Sequence, residues 1–168
     1  HGYILGYERL NDHLATDEGP RHRLWRIRAK QIITATGSIE RPISFPSNDI
    51  PGVMLASAVR DYALNFGVAT GNKIVVYTNN DDAYETAITL YNKGVNIKLI
   101  IDIREKSNGT LPKKCSELGI KIHWKSTVVY TEGYKKINKV HLMKLSKDNS
   151  AVVGNKIKID CDLLCVSG

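Results

Sequence analysis

The sequence predicts an α/β protein: a three-layer domain with a parallel sheet and an added β-meander, set into part of a second domain of related architecture. Three observations predict it. Residues 73–78 form an apolar run, residues 83–93 have a helical period closed by Gly94, and residues 96–101 form a second apolar run, which together make a βαβ unit. Residues 32–37 read Ile-Ile-Thr-Ala-Thr-Gly, a run that stops on a small turn. A last apolar run, Leu163, Leu164, Cys165 and Val166, ends in Ser167 and Gly168.

Residues 3–10 alternate apolar and polar side chains, as a strand does. Asn11 and Asp12, then residues 16–20, carry turn chemistry. Residues 23–29 alternate again and hand the chain to a strand at 32–35, whose lack of alternation predicts cover on both faces. Pro42, Pro46 and Pro51, with Asn48, Asp49 and Gly52, make residues 38–55 a linker. Ser57 is placed to cap a helix running to about Phe66, with Ala58, Val59, Tyr62, Ala63 and Phe66 at helical spacing and Gly67 at its end.

After the βαβ unit, residues 110–118 predict a short helix ended by Gly119. Strands are predicted at 120–123, 126–130 and 137–145, with a turn at 148–150 and a last strand pair at 156–159 and 162–166. This order is that of a Rossmann-like nucleotide-binding domain. Residues 1–45 and 160–168 are expected to be parts of a first FAD/NAD-binding-type domain. Residues 46–159 are expected to be a second, degenerate NAD(P)-binding-like domain inserted into it. The chain begins at His1 rather than Met and ends on a glycine after an apolar run, so both ends read as cut from a longer polypeptide.

With 168 residues, 42% apolar and 24% charged, the composition is that of a soluble globular protein, and a cytoplasmic location is expected. No apolar run approaches the roughly 20 residues that span a bilayer, so no membrane is expected. The net charge of +7 comes from scattered lysines without interleaved aromatic residues, which argues against nucleic acid. Cys115, Cys161 and Cys165 contain no Cys-x-x-Cys and read as buried apolar groups in a reducing compartment. The five histidines show no metal-ligand spacing; His123 is expected at a strand end and His141 on an outward face.

The βαβ turn carries the main functional message. A dinucleotide turn needs glycines so that the pyrophosphate approaches the backbone and the helix N-terminus. Here the turn reads Thr78-Asn79-Asn80-Asp81-Asp82-Ala83 and holds none. Asn80, Asp81 and Asp82 are expected to satisfy the free N–H groups of the helix themselves. A carboxylate about 5 Å from a phosphate, at an effective dielectric near 20, costs about 3 kcal/mol before screening. No tightly held NAD(P) is therefore expected in this fold. Asp102, 24 residues after Thr78, is placed like a ribose-binding acid, but without the glycine turn it reads as a strand-end acid near Arg104.

The stretches Ile33-Thr34-Ala35-Thr36-Gly37-Ser38-Ile39-Glu40-Arg41-Pro42, Asn48-Asp49-Ile50-Pro51-Gly52-Val53-Met54-Leu55-Ala56-Ser57-Ala58-Val59-Arg60, Tyr77-Thr78-Asn79-Asn80-Asp81 and Cys161-Asp162-Leu163-Leu164-Cys165-Val166-Ser167-Gly168 together resemble the α subunits of heterotetrameric sarcosine oxidases. The resemblance implies a middle portion of such a subunit. It implies a complex that oxidatively demethylates sarcosine to glycine, forms hydrogen peroxide and passes the one-carbon unit to tetrahydrofolate. FAD and FMN belong to the complex, and NAD to the first nucleotide fold of the α subunit, whose glycine-rich turn is expected before His1. The folate-binding region is expected after Gly168. The partners implied are the other subunits and the remainder of the same chain.

Carried over residue by residue, the family's strand-end turn beside NAD matches Thr36 and Gly37, and Arg41 follows on a loop within reach of a phosphate. No catalytic and no metal-binding residue is expected, and the isolated segment is expected to be inactive. The alternatives are an NAD(P)H-binding domain of another FAD-dependent oxidoreductase (a disulfide-reductase relative, an opine oxidase or a cyanide-forming glycine dehydrogenase) and a ligand-free interaction module.

Overall fold

A computed structural model describes residues 2–13, 15 and 19–168. His1 and residues 16–18 of the predicted turn lie outside the described residues. The chain forms two compact units, residues 1–38 and residues 39–168.

The first unit is an antiparallel hairpin of β1 (Gly2–Arg9) and β2 (His22–Ala29), in register from Gly2 opposite Ala29 to Arg9 opposite His22. Directly opposed residues share a face. One face carries Ile4 opposite Ile27 and Trp25 opposite Gly6. On it Trp25 Nε1 donates to Glu8 Oε2 at 2.8 Å, and the Arg23 guanidinium lies 5.3 Å from the Trp25 ring. The other face carries Tyr3, Leu5, Tyr7 and Leu24 with Arg26 and Arg28. The strand predicted at 32–35 is not formed: residues 31–45 have no regular secondary structure, and Ile33 is 90% exposed. A strand exists only where a neighbour takes its N–H and C=O groups, and no described segment pairs with residues 32–35.

The second unit contains β3 (Val53–Leu55), α1 (Ala56–Asn65), β4 (Lys73–Thr78), α2 (Asp82–Asn92), β5 (Asn96–Asp102), α3 (Thr110–Glu117), β6 (Ile122–His123), β7 (Ser126–Gly133), β8 (Ile137–Leu145), β9 (Val152–Asp160) and β10 (Leu163–Ser167). Five parallel strands run in the order β3-β10-β4-β5-β6, and β7-β8-β9 form an antiparallel meander. The pleat of the central strands divides the core. Ile74, Val76, Leu163 and Cys165 face a cluster with Val59 of α1, Ala87 of α2 and Cys115 of α3. Val75, Tyr77, Leu164 and Val166 face a cluster with Val128, Val140 and Leu142 of the meander. The parallel sheet is thus covered by helices on one face and by the meander on the other, which is the predicted three-layer arrangement.

The helices and the βαβ unit stand where predicted, within a residue or two. Gly67, Gly94 and Gly119, each with positive φ, follow the three helices. One expectation is corrected. Residues 38–55 are not all linker, because Val53–Leu55 forms the edge strand β3, too short to show a pattern. β10 lies between β3 and β4 in the middle of their sheet. The reason is that a run without a polar face needs apolar cover on both sides and hydrogen-bonding neighbours on both edges. The first compact unit ends at residue 38, and Phe45 is buried in the meander-side core of the second.

Leu164 is fully buried, whereas Leu64 on α1 is 54% exposed. Leu164→Ala is expected to lower unfolding stability by about 2–5 kcal/mol, and Leu64→Ala by less than about 0.5 kcal/mol, as read from urea titrations of the 168-residue chain.

Candidate functional site

The strand order fixes where a ligand site belongs. From β4 the chain crosses to β5 and β6 on one side, and returns to β10 on the other. The carboxyl ends of β4 and β10 therefore flank the point where the winding reverses, the usual ligand crevice of such sheets.

Here side chains fill that crevice. Asn80 Nδ2 donates to Ser167 Oγ at 2.9 Å, joining the two strand ends. Asn80 Oδ1 accepts from the N–H groups of Asp82 and Ala83 at 3.1 and 3.4 Å, at the start of α2. The Thr78 hydroxyl accepts from Asn80 N at 3.0 Å and holds the turn. One carboxamide thus supplies the acceptor that a phosphate oxygen supplies in a dinucleotide turn. The expectation that all three side chains cap α2 is corrected: Asn80 does so alone. Asp81 and Asp82 turn to arginines, Asp81 to Arg104 at 2.8 Å and Asp82 to Arg60 at 3.0 Å.

Asp102 is fully buried at the end of β5. Its Oδ1 accepts from Arg104 N at 2.8 Å and Arg104 Nε at 3.1 Å, and its Oδ2 from Tyr84 Oη and Arg104 Nη2, both at 2.7–2.8 Å. Burial, then the bond to Asp102, pushes the Tyr84 hydroxyl far up, so it stays a donor. The hydrogen bond to Asp102 likewise holds Arg104 protonated. Both carboxylate oxygens already have donors, which agrees with the reading of Asp102 as a strand-end acid near Arg104. A dinucleotide does not fit this turn: its diphosphate would displace the Asn80 carboxamide and meet Asp81 and Asp82.

Thr36 and Gly37 are exposed on the irregular end of the first unit. Gly37 has φ +69°, and a Cβ built on it meets no atom within 4 Å. Arg41 belongs to the second unit, where its guanidinium side chain is exposed and its backbone pairs with Gly168, N–H to carbonyl in both directions at 3.4 and 2.7 Å. The backbone pairing of Arg41 lay beyond sequence reading.

So did the role of Glu40. Ser57 does not cap α1 as expected. Leu55 is the N-cap residue, and Glu40 Oε2 accepts from Ser57 N and Oγ at 2.9 and 2.6 Å, placing a carboxylate where a helix N-terminus favours one.

Cys115, Cys161 and Cys165 are buried and free. Burial pushes the Cys115 thiol up to about 11 and Cys161 to about 12, so neither is a thiolate at neutral pH. His123 sits at the end of β6 as expected, its pKa lowered by burial and by Lys144 and Lys121. His141 does not face outward: it is 3% exposed, with Nε2 on Glu132 at 2.7 Å and its ring 5.6 Å from that of Tyr130. It alternates away from Val140 and Leu142 as predicted, but Glu132 and Tyr130 of β7 cover the face it reaches. A cavity of about 260 Å³ between Pro42, Ile43, Phe45, Leu55 and Val166 has no titratable lining. Among the described residues no cluster of His, Cys, Asp and Glu is arranged for a metal, and no helix is long and apolar enough to cross a membrane.

Comparison with known proteins assigns the lineage. Over 99% of its length the chain is 36% identical to sarcosine oxidase subunit alpha of Corynebacterium sp. (strain U-96). Over 61% of its length it is 42% identical to the subunit of that name from Rhizobium meliloti (strain 1021). This chain is a relative of the sarcosine oxidase α subunits. It spans 17% and 11% of the length of those relatives. No family model matches it. Among solved structures, T. acidophilum thioredoxin reductase superimposes with a TM-score of 0.59 at 16% identity, covering 79% of this chain and 41% of that one. A FAD-dependent pyridine nucleotide-disulphide oxidoreductase from Desulfovibrio vulgaris superimposes with a TM-score of 0.58, also at 16% identity, covering 87% of this chain and 37% of that one. At such identities the likeness shows the Rossmann-like fold.

Asp102→Ala is expected to destabilise the chain by about 3–5 kcal/mol, because it strands Arg104 and the Tyr84 hydroxyl, and Tyr84→Phe by about 1–3 kcal/mol; thermal unfolding followed by circular dichroism reads both. Glu132 gives a pH test. The His141 hydrogen bond, chiefly, holds its carboxyl below the ordinary 4.5. Its stabilisation is complete above that value and disappears as pH falls through the lower folded-state value. The Tm gap between the parent and Glu132→Gln should narrow as pH falls below 4.5.

Proposed function

We propose that this chain is part of a sarcosine oxidase α subunit and serves there as NAD-associated scaffold without catalytic residues. The observation that carries the reading is the 36% identity along 99% of the chain to a protein of that name. The complex would oxidise sarcosine to glycine with hydrogen peroxide as co-product and pass the one-carbon unit to tetrahydrofolate, using FAD and FMN held elsewhere in the assembly. It would be a cytoplasmic heterotetramer. Residues 1–38 would belong to the first nucleotide fold, and residues 39–168 would be the lobe inserted into it.

Each part of this chain has a stated task. Gly37, with its positive φ and open surroundings, would let the backbone lie against NAD, and Thr36 would offer a hydroxyl to a ribose or phosphate oxygen. NAD would supply binding and order rather than a role in proton transfer by these residues. The second unit would keep its own crevice closed through Asn80 and Ser167. That closure disfavours the reading in which this unit binds NAD(P)H for another flavoenzyme.

The test uses the full-length subunit assembled with its partners. Purified complex should form peroxide from sarcosine and release stoichiometric NAD on denaturation. Gly37→Val should reduce NAD content several-fold by forcing a branched residue into a left-handed conformation. An assembly indifferent to sarcosine, or NAD retained in full by Gly37→Val, would contradict the assignment. So would NADH-dependent protection of the 79–83 amides in hydrogen exchange.

A further inference from the structure

We propose that Asn108–Gly109 is a self-modification site, where the chain turns asparagine into isoaspartate and aspartate through a cyclic imide. Of the asparagines in the sequence, Asn108 is the one followed by glycine. A glycine has no Cβ to shield its amide nitrogen, so that nitrogen can approach the carboxamide before it closely. The structure leaves both groups free to react. Residues 106–109 have no regular secondary structure, and Asn108 is exposed. Its carboxamide makes no hydrogen bond among the described residues. The Gly109 N–H lies outside any helix or strand ladder and donates to one hydroxyl, Ser107 Oγ at 3.1 Å. Asn80 shows the contrast: its carboxamide is held at both Nδ2 and Oδ1, and Asp81 follows it.

The step is a ring closure. The Gly109 nitrogen attacks Cγ of Asn108, the Cγ–Nδ2 bond breaks, and Nδ2 leaves as ammonia with the proton from Gly109. Water then opens the imide at either carbonyl, giving isoaspartate or aspartate, and nothing is oxidised or reduced. The deprotonated nitrogen and the tetrahedral oxygen are both anionic, and cations beside them lower the barrier. Lys106 and Lys113 border the same hollow as Asn108, with one acid, Glu117. Neither lysine has an ion pair among the described residues. The product carries a carboxylate next to the start of α3, whose N-cap Gly109 has no side chain and whose first turn has no acid. A carboxylate is favourable there, and each conversion lowers the net charge of +7 by one.

The test is ageing of the full-length subunit in mildly alkaline buffer, read by peptide mapping and by an isoaspartate methyltransferase assay. The peptide holding Asn108 should gain one mass unit and split into two chromatographic forms, one of them isoaspartate. It should do so several-fold faster than the peptide holding Asn149, which precedes Ser150 in the exposed β8–β9 loop. Gly109→Ala should slow the change several-fold. Its Cβ would meet Ser107 Oγ at 3.3 Å and Pro112 Cδ at 3.5 Å, and Gly109 has φ −58°, so alanine fits. Circular dichroism shows whether that variant is folded; if it is not, Asn108→Gln, whose longer side chain closes a ring far more slowly, takes its place. An unchanged Asn108 in the aged native subunit, aspartate without isoaspartate, a parent-like rate in the folded variant, or a glycan on the Asn108-Gly109-Thr110 acceptor pattern would each overturn the proposal. None of these outcomes depends on sarcosine, so the oxidase reading stands or falls separately.

Discussion

The second unit depends on β10. Its edges are hydrogen-bonded to β3 and β4, and its side chains alternate into two separate cores, Leu163 and Cys165 toward the helices, Leu164 and Val166 toward the meander. It is anchored at both ends. At its start the Asp162 carboxylate accepts from the N–H groups of Asn72 and Lys73 at 2.7–3.1 Å. At its end Gly168 pairs with the backbone of Arg41. A strand five residues long thus joins segments from positions 41, 53 and 73. Without it β3 has no partner, β4 loses one edge, and each core loses two of its fully or nearly buried side chains.

The same strand determines the chemistry of the crevice. Ser167 stands at the point where a nucleotide-binding sheet opens, and it offers a hydroxyl to Asn80. Once Asn80 bridges β10 and the start of α2, the N–H groups that would bind a diphosphate are taken, and Asp81 and Asp82 are free to recruit Arg104 and Arg60. On the far side of the turn, Asp102 gathers Tyr84 and Arg104 in place of a ribose. The lobe keeps the architecture of a nucleotide fold while its polar groups satisfy one another, a separation of fold from site that physical chemistry permits freely.

What the sequence showed, and what it did not, follows the range of the interactions concerned. The βαβ unit was legible because its signals are local: an apolar run, a period of 3.6, a glycine after the helix. The missing glycines of the 78–83 turn were legible for the same reason, as was the burial of the three cysteines. The place of β10 was not, because Leu163 to Val166 states only a need for cover and is silent on which edges provide it. Glu40 capping α1 from 17 residues away, and Asn80 reaching Ser167 across 87, are bonds between segments distant in sequence, with no spacing to mark them. His141 failed for a subtler reason. Its alternation was read correctly, but an outward face of a meander is solvent only if the neighbouring strand leaves it open, and Glu132 and Tyr130 do not.

The two units also differ in what holds them together. The second buries an apolar core on each face of its sheet. The hairpin of the first has two strands, and its Tyr3, Leu5, Tyr7, Leu24, Trp25 and Ile27 are all at least 45% exposed. A hairpin of two strands taken alone is marginal in water. Register is nevertheless well specified, because Trp25 lies over Gly6 and binds Glu8, and a one-residue slip would place it against a side chain on the other face.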